Sequence, residues 1–240
     1  MSALKKIIIY FVFPIAFDTS LQARERVACA TSLCPLLEEL IKELPPPAPL
    51  LVKGANATLI TQSLKGAPFD LIVSASRRLM QALQSKRPQL KIESFAKNKL
   101  VLWTQKGSSP DSYEKKELLA LPNPKTTAIG LASAAALDLK ELKHLKVIWS
   151  PTAAAALLAA TKNSKLVAVS SLGLVNAHQL EPSYSLLQPE SIQQDHIEIS
   201  FAVTGVLSKN IKALVKLLKN LDQNKLSHFG LEKFSESKDL

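Results

Sequence analysis

"LLVKGANATLITQSLKGAPFDLIVSAS", Leu50 to Ser76, is the stretch that decides the fold. "LLVKG" has strand character, and Asn56 and Thr58 lead into a helix that runs through Leu64. Gly66 then stops it, because glycine takes the left-handed conformation that closes a helix C-terminus at no steric cost. "APFDLIVSAS" follows, and its Leu71-Ile72-Val73 core is apolar on both faces, the pattern of a strand buried on both sides of a parallel sheet. Strand, helix and strand in this order predict an α/β unit.

The same alternation extends outward. Upstream, "ACATSLCPLLEEL" (Ala28–Leu40) predicts a short buried strand over Val27–Ala30, a turn at Thr31-Ser32 and a helix over Pro35–Leu44. The proline run Pro45–Pro49 breaks that helix, since consecutive prolines cannot continue one. Downstream, a helix over Arg77–Gln84 closes the first half. "KLVLWTQ" (Lys99–Gln105) reads as a strand, and a polar, proline-containing stretch follows from Lys106 to Lys125. A second α/β set is expected in "TTAIGLAS" (Thr126–Ser133), the helix "ALDLKELKHL", the strand "KVIW", the helix "PTAAAALLAATKN" and the strand "KLVAVSS". "HIEISFAVTGVL" (His196–Leu207) reads as a long strand. "NIKALVKLLKNL" reads as an amphipathic helix with Ile211, Leu214, Leu217, Leu218 and Leu221 on one stripe. Two α/β halves joined by long strands near Val101 and Ala202 predict two lobes with a cleft between them. The expected division is residues 24–102 plus 204–240 in lobe 1 and residues 103–203 in lobe 2.

Composition narrows the function. The chain has 240 residues, is 47% hydrophobic and carries a formal net charge of +10, enough for a sizeable core and an affinity for anions of some kind. Three tyrosines and two tryptophans do not interleave with the scattered lysines, so no stacking platform for single-stranded nucleic acid is expected. The N-terminus has Lys5-Lys6, an apolar run from Ile7 to Phe17, and a polar segment ending at Ala23. That is the order of a secretory signal over residues 1–23, and the run is short for a membrane span. Cys29 and Cys34 are the only cysteines. The strand-to-helix turn between them is expected to hold them too far apart or badly aimed for a relaxed disulfide. Export would permit a bridge, but packing as two small apolar residues is the preferred reading.

No catalytic constellation emerges. The four histidines are scattered without metal-ligand spacing, and seven glycines leave no phosphate-cradling loop. What recurs is a small or hydroxylic turn at a helix start: Thr31-Ser32, Asn56-Ala57-Thr58, Ser133-Ala134-Ala135 and Ser150-Pro151-Thr152-Ala153. Each exposes backbone N–H groups at the positive end of a helix dipole. Taken alone, each is explained by helix capping. Converging on one cleft, they would form an anion site without lysine or arginine.

Several of these stretches carry a family resemblance. "ACATSLCPLLEEL", "GANATLITQSLKGAPFDLIVSAS", "NKLVLWTQKGS", "AAALLAATKNSKLVAVSS", "ISFAVTGVL" and "KLSHFGL" are together similar to the periplasmic molybdate-binding proteins of ABC importers. The most specific is Thr58–Ser76, where the helix, Gly-Ala-Pro, Asp70 and Ser74-Ala75 fall in the family's order. The resemblance implies an α/β, two-lobed type II periplasmic-binding-protein fold, with mainly parallel sheets and a ligand cleft between the lobes. It implies a periplasmic, monomeric binding protein with no catalytic activity, no cofactor and no cation site, which hands a molybdate or tungstate oxyanion to a membrane ABC permease. Ser32 falls on the family's first anion-binding serine. Asn56 stands at the second, where its NH₂ can donate but its carbonyl would bring an acceptor towards the anion. Ala153 matches a backbone donor, and Ser171 stands where the family has a tyrosine. Leu137 or a neighbouring alanine would supply the last amide, in a segment lacking the family's Asp-Pro and Pro-Ala-Gly landmarks. These departures leave a second reading, a binding-protein shell with altered anion selectivity or an interaction or sensory role.

Overall fold

The computed structural model describes residues 24–105, 113–180, 184–187 and 197–234. The expected signal sequence lies outside these residues. Among them no helix is long and apolar enough to cross a membrane.

Two sheets organise the chain. The first has six strands in the order β11-β4-β10-β3-β1-β2. These are β1 (Arg26–Ala30), β2 (Leu50–Gly54), β3 (Leu71–Ser74), β4 (Glu93–Asn98), β10 (Glu198–Val203) and β11 (Leu231–Lys233). β1 runs parallel to both β2 and β3, as their helical connections require, whereas β10 and β4 pair antiparallel. The second sheet has the order β7-β6-β8-β5-β9. Its strands are β5 (Leu100–Trp103), β6 (Leu118–Pro122), β7 (Lys146–Ser150), β8 (Leu166–Ser171) and β9 (Tyr184–Leu186). β6 is parallel to β7 and β8, and β5 is antiparallel to β8 and β9. β5 belongs wholly to the second sheet and β10 to the first. The chain therefore crosses between sheets at Lys99 and ahead of Glu198.

Helices cover the first sheet on both faces. Along β1 and β3, Val27, Cys29, Leu71 and Val73 face one core, while Ala28 and Ile72 face another. This is the period of two that a strand imposes. The first core is closed by α1 (Cys34–Lys42) and α7 (Lys209–Lys219), which insert Leu36, Leu37, Leu40, Ile211, Leu214 and Leu218. The second is closed by α2 (Asn56–Leu64) and α3 (Arg77–Lys86) through Leu59, Ile60, Met80 and Leu83. The remaining helices are α4 (Ala128–Ser133), α5 (Ala153–Lys162), α6 (Leu172–Ala177) and α8 (Gln223–His228). α5 packs Ala153, Ala156, Leu157 and Ala160 on the second sheet.

Two local readings change in the second half. "TTAIGLAS", which opens the second α/β set, is a capped helix: Thr127 caps α4 by accepting the Gly130 N–H at 2.9 Å. The strand of that unit is β6, "LLALP", which ends at Pro122, just upstream of Thr126, inside the stretch read as polar and proline-containing. "ALDLKELKHL" does not make a full helix, and two short 3₁₀ turns span Ala134–Asp138 and Lys140–Leu142.

The sheets meet along a tight seam. Lys99 donates its N–H to the Gly230 carbonyl at 3.3 Å and accepts the Leu172 N–H at 2.8 Å. A Cβ on Gly173 would lie 2.2 Å from the Phe229 carbonyl oxygen, so backbone meets backbone there. Gly230 has φ +67°, a conformation in which a side chain is strained. Asn176 adds a bond from Nδ2 to the His228 carbonyl at 3.1 Å.

Candidate anion-binding cleft

Four turns, each following a strand and opening a helix or helical turn, border one cleft that is open to solvent. From the first sheet come Ala30-Thr31-Ser32 after β1 and Gly54-Ala55-Asn56 after β2, with Ala75 after β3. The second sheet supplies Thr127-Ala128-Ile129 ahead of α4, Thr152-Ala153-Ala154 ahead of α5, and Leu174 from α6. No ionisable side chain is among these lining residues. In an α/β sheet the strand ends and helix starts coincide at one edge, so amide donors gather there as a consequence of topology.

The caps show how donors remain available. Thr152 Oγ1 accepts the N–H of Ala155 at 3.1 Å, and Thr127 Oγ1 accepts that of Gly130. In each case the threonine satisfies the third N–H of its helix and leaves the first two without an intrahelical partner. Those first two belong to Ala153 and Ala154 in α5, and to Ala128 and Ile129 in α4, all cleft-lining residues. Capping and anion binding therefore divide the N–H groups between them. At the other edge, neither the 3₁₀ turn Thr31–Leu33 nor α1 has a side-chain cap, so the Ser32 hydroxyl is not spent on its helix.

Asn56 is the most informative residue of the cleft. It is 4% exposed, and its Oδ1 accepts the backbone N–H of Ala75 at 3.4 Å. A backbone N–H can only donate, so it fixes which amide atom is oxygen. The acceptor expected to face an anion is thereby turned towards Ala75, and Nδ2 is left buried with no partner. Asn56 is the first helical residue of α2, and Ala55 at the N-cap position offers no side-chain cap, so the Asn56 side chain stands at an uncapped helix entrance. Beside it the Ala57 N–H reaches across to the Thr126 carbonyl at 3.4 Å, bridging the two sheets.

Of the five residues read from the sequence, the cleft brings together Ser32, Asn56 and Ala153. Ser171 is outside the lining: it is buried at the end of β8, where its hydroxyl accepts the Leu174 N–H at 3.4 Å and caps α6. Leu137 is 38% exposed on a 3₁₀ turn and is also outside. From the same half, Thr127-Ala128-Ile129 line the cleft instead. The sequence signal for it was a capping threonine three residues before Gly130, whose added Cβ would lie 2.5 Å from the Asn123 carbonyl. Among the described residues no cluster of His, Cys, Asp or Glu could hold a metal ion.

The sequence matches the bacterial extracellular solute-binding protein family over residues 26–225. The chain belongs to that family. Its members bind solutes and catalyse no reaction, and the two sheets are the two halves of a two-lobed periplasmic-binding-protein fold. The Azotobacter vinelandii periplasmic molybdate-binding protein is similar in structure, with TM-score 0.72 and 19% identity over 87% of this chain and 98% of that one. A Clostridium difficile substrate-binding domain, described as that of a candidate molybdenum ABC transporter, aligns with TM-score 0.64 and 17% identity over 88% of this chain and 99% of that one. A candidate phosphate ABC transporter substrate-binding protein with bound phosphate, from Clostridium perfringens, aligns with TM-score 0.62 and 10% identity over 88% and 100%. At such identities the likeness carries the fold and leaves the ligand to the residues of this cleft. No curated protein sequence matches.

Proposed function

We propose that this solute-binding protein captures a fully ionised tetrahedral oxyanion, molybdate or tungstate, in the cleft between its lobes and delivers it to an ABC permease. The observation that carries the reading is the set of donors around a cleft with no ionisable lining. Asn56 offers a buried, unpartnered Nδ2, and the helix starts at Ala153 and Ala128 offer N–H groups left over from capping. An ion that bears only acceptors complements such a lining. A protonated ion such as hydrogen phosphate needs an acceptor in return, and the Asn56 carbonyl is already engaged by Ala75.

In this reading the anion is held by Ser32 and Asn56 from the first lobe and by Ala153 and its neighbours from the second. The lobes follow the sheets, with Lys99 and the strand β10 at the crossings. Closure about the Gly173–Gly230 seam buries the ligand and sets the face that the permease meets. The protein acts in the periplasm as a monomer after removal of residues 1–23. Isothermal titration of ligand-free mature protein with molybdate, tungstate, sulfate and phosphate tests the proposal. Tight binding of the first two with weak phosphate binding supports it. Absence of binding by all four would transfer the cleft to the alternative reading, a shell kept for interaction or sensing.

A further inference from the structure

The anion loop is bracketed by two sulfurs. Cys29 is the fourth residue of β1 and Cys34 the first of α1, and between them lie Ala30, Thr31, Ser32 and Leu33. Their Sγ atoms are 3.6 Å apart, closer than the turn was expected to hold them, and both cysteines are free and buried. Both thiols also converge on one acceptor. Cys29 Sγ lies 3.2 Å and Cys34 Sγ 3.6 Å from the Ala30 carbonyl oxygen. Ala30 lines the cleft, so the dithiol touches the backbone of the ligand loop directly.

We propose that Cys29 and Cys34 form a reversible dithiol–disulfide couple whose oxidised form closes a ring around the anion loop and sets its pose. Bonding requires the sulfurs to approach by roughly 1.5 Å, from 3.6 Å to the length of an S–S bond. The oxidant is a small or protein disulfide, the class that maintains an oxidising extracellular compartment. The Cys34 thiolate attacks one sulfur of that disulfide, forming a mixed disulfide and releasing one thiolate. The Cys29 thiolate then displaces the second. Two thiols lose two protons and two electrons, and the oxidant is reduced to two thiols.

Cys34 is the sulfur to ionise first. Its hydrogen bond with Cys29 holds it below the ordinary thiol value, whereas burial pushes Cys29 well above. Oxidation removes both S–H donors from the Ala30 carbonyl and ties the end of β1 to the start of α1. The segment Thr31-Ser32 is left as the apex of a six-residue ring. The effect on ligand affinity rests on the proposed role of this loop in holding the anion, but formation and rigidity of the ring do not.

The experiment uses the mature protein, reduced or treated with oxidised glutathione, then denatured and alkylated. The expected result is a mass lower by two hydrogens with neither cysteine alkylated, reversed by dithiothreitol. Amide exchange of the peptide spanning residues 30–33 should slow in the oxidised form, and the molybdate dissociation constant should differ several-fold between the two forms. Cys34→Ala should abolish all three redox differences, and Cys29→Ala serves if that variant does not fold. Two alkylated cysteines after oxidant, or a disulfide that leaves exchange at residues 30–33 unchanged, would overturn the proposal. If neither form binds any oxyanion, the anion reading falls, and mass and exchange still decide the redox couple.

Discussion

Replacing Asn56 by Asp changes one NH₂ into a carboxylate oxygen at nearly constant shape, which makes it a sharp test of what faces the cleft. The Ala75 N–H can still bond the first oxygen, as it does Oδ1 at 3.4 Å. The second oxygen takes the place of Nδ2, the buried donor without a partner. If Nδ2 contacts the anion, one charge-assisted hydrogen bond disappears, a loss of about 1.5–3 kcal/mol. A negative charge then stands about 4 Å from a divalent anion. That repulsion amounts to about 2 kcal/mol in bulk water and about 8 kcal/mol at an effective dielectric constant of 20. Even the smallest combination, about 3.5 kcal/mol, weakens binding by several-hundredfold.

Fold stability should change little, because the helix entrance and the Ala75 N–H offset part of the cost of burying a carboxylate. The assay is isothermal titration with molybdate beside a melting curve of the ligand-free protein. Acidification should reverse the effect. The ionised form of the new carboxyl repels the ligand and the protonated form can donate to it. Affinity should therefore rise as pH falls through the pKa of that carboxyl, and the wild type, with no ionisable lining residue, should show no matching rise. An Asn56→Asp protein that binds molybdate within threefold of wild type would refute the assignment of Nδ2 to the ligand.

Other substitutions probe other parts. Ser32→Ala should lower anion affinity about ten- to a hundredfold by titration while leaving the melting temperature unchanged, because the hydroxyl caps no helix. Gly173→Ala places a methyl against the Phe229 carbonyl, so it should lower the melting temperature and, by small-angle scattering, enlarge the protein. Terminal sequencing of protein recovered from the periplasm should begin near Arg24, and a chain retaining Met1 in the cytosol would contradict export.

The first half was legible because its signals agree. Gly66 at φ +92° ends α2, and Leu71–Val73 are buried on both faces, as the sequence pattern requires. The stripe of α7 likewise meets the core through Ile211, Leu214 and Leu218. The second half was harder, because "LLALP" has poor strand propensity and ends in proline. Pairing of β6 with β7 and β8 and burial of Leu119, Ala120 and Leu121 outweigh that propensity. With β6 unrecognised, the third helix start is expected at Ser133-Ala134-Ala135, a full α4 beyond its position at Thr127-Ala128. Within the cleft, Ser32, Asn56 and Ala153 were readable because each sits where a strand hands over to a helix or helical turn. The orientation of the Asn56 amide was not, since it depends on Ala75, nineteen residues away.

The uncharged cleft lies in a chain whose formal net charge is +10, and this separates how a ligand arrives from how long it stays. Exposed lysines such as Lys212 and Lys216 contribute to a positive field that extends several ångströms and that dissolved salt weakens. In the proposed function the seated ion is held by short-range dipoles, which salt screens far less than it screens that field. Raising ionic strength should therefore slow encounter while leaving residence time almost unaltered. On the proposed function, capture would be quick in a dilute, low-salt habitat, and in brine it would be slow with release no sooner.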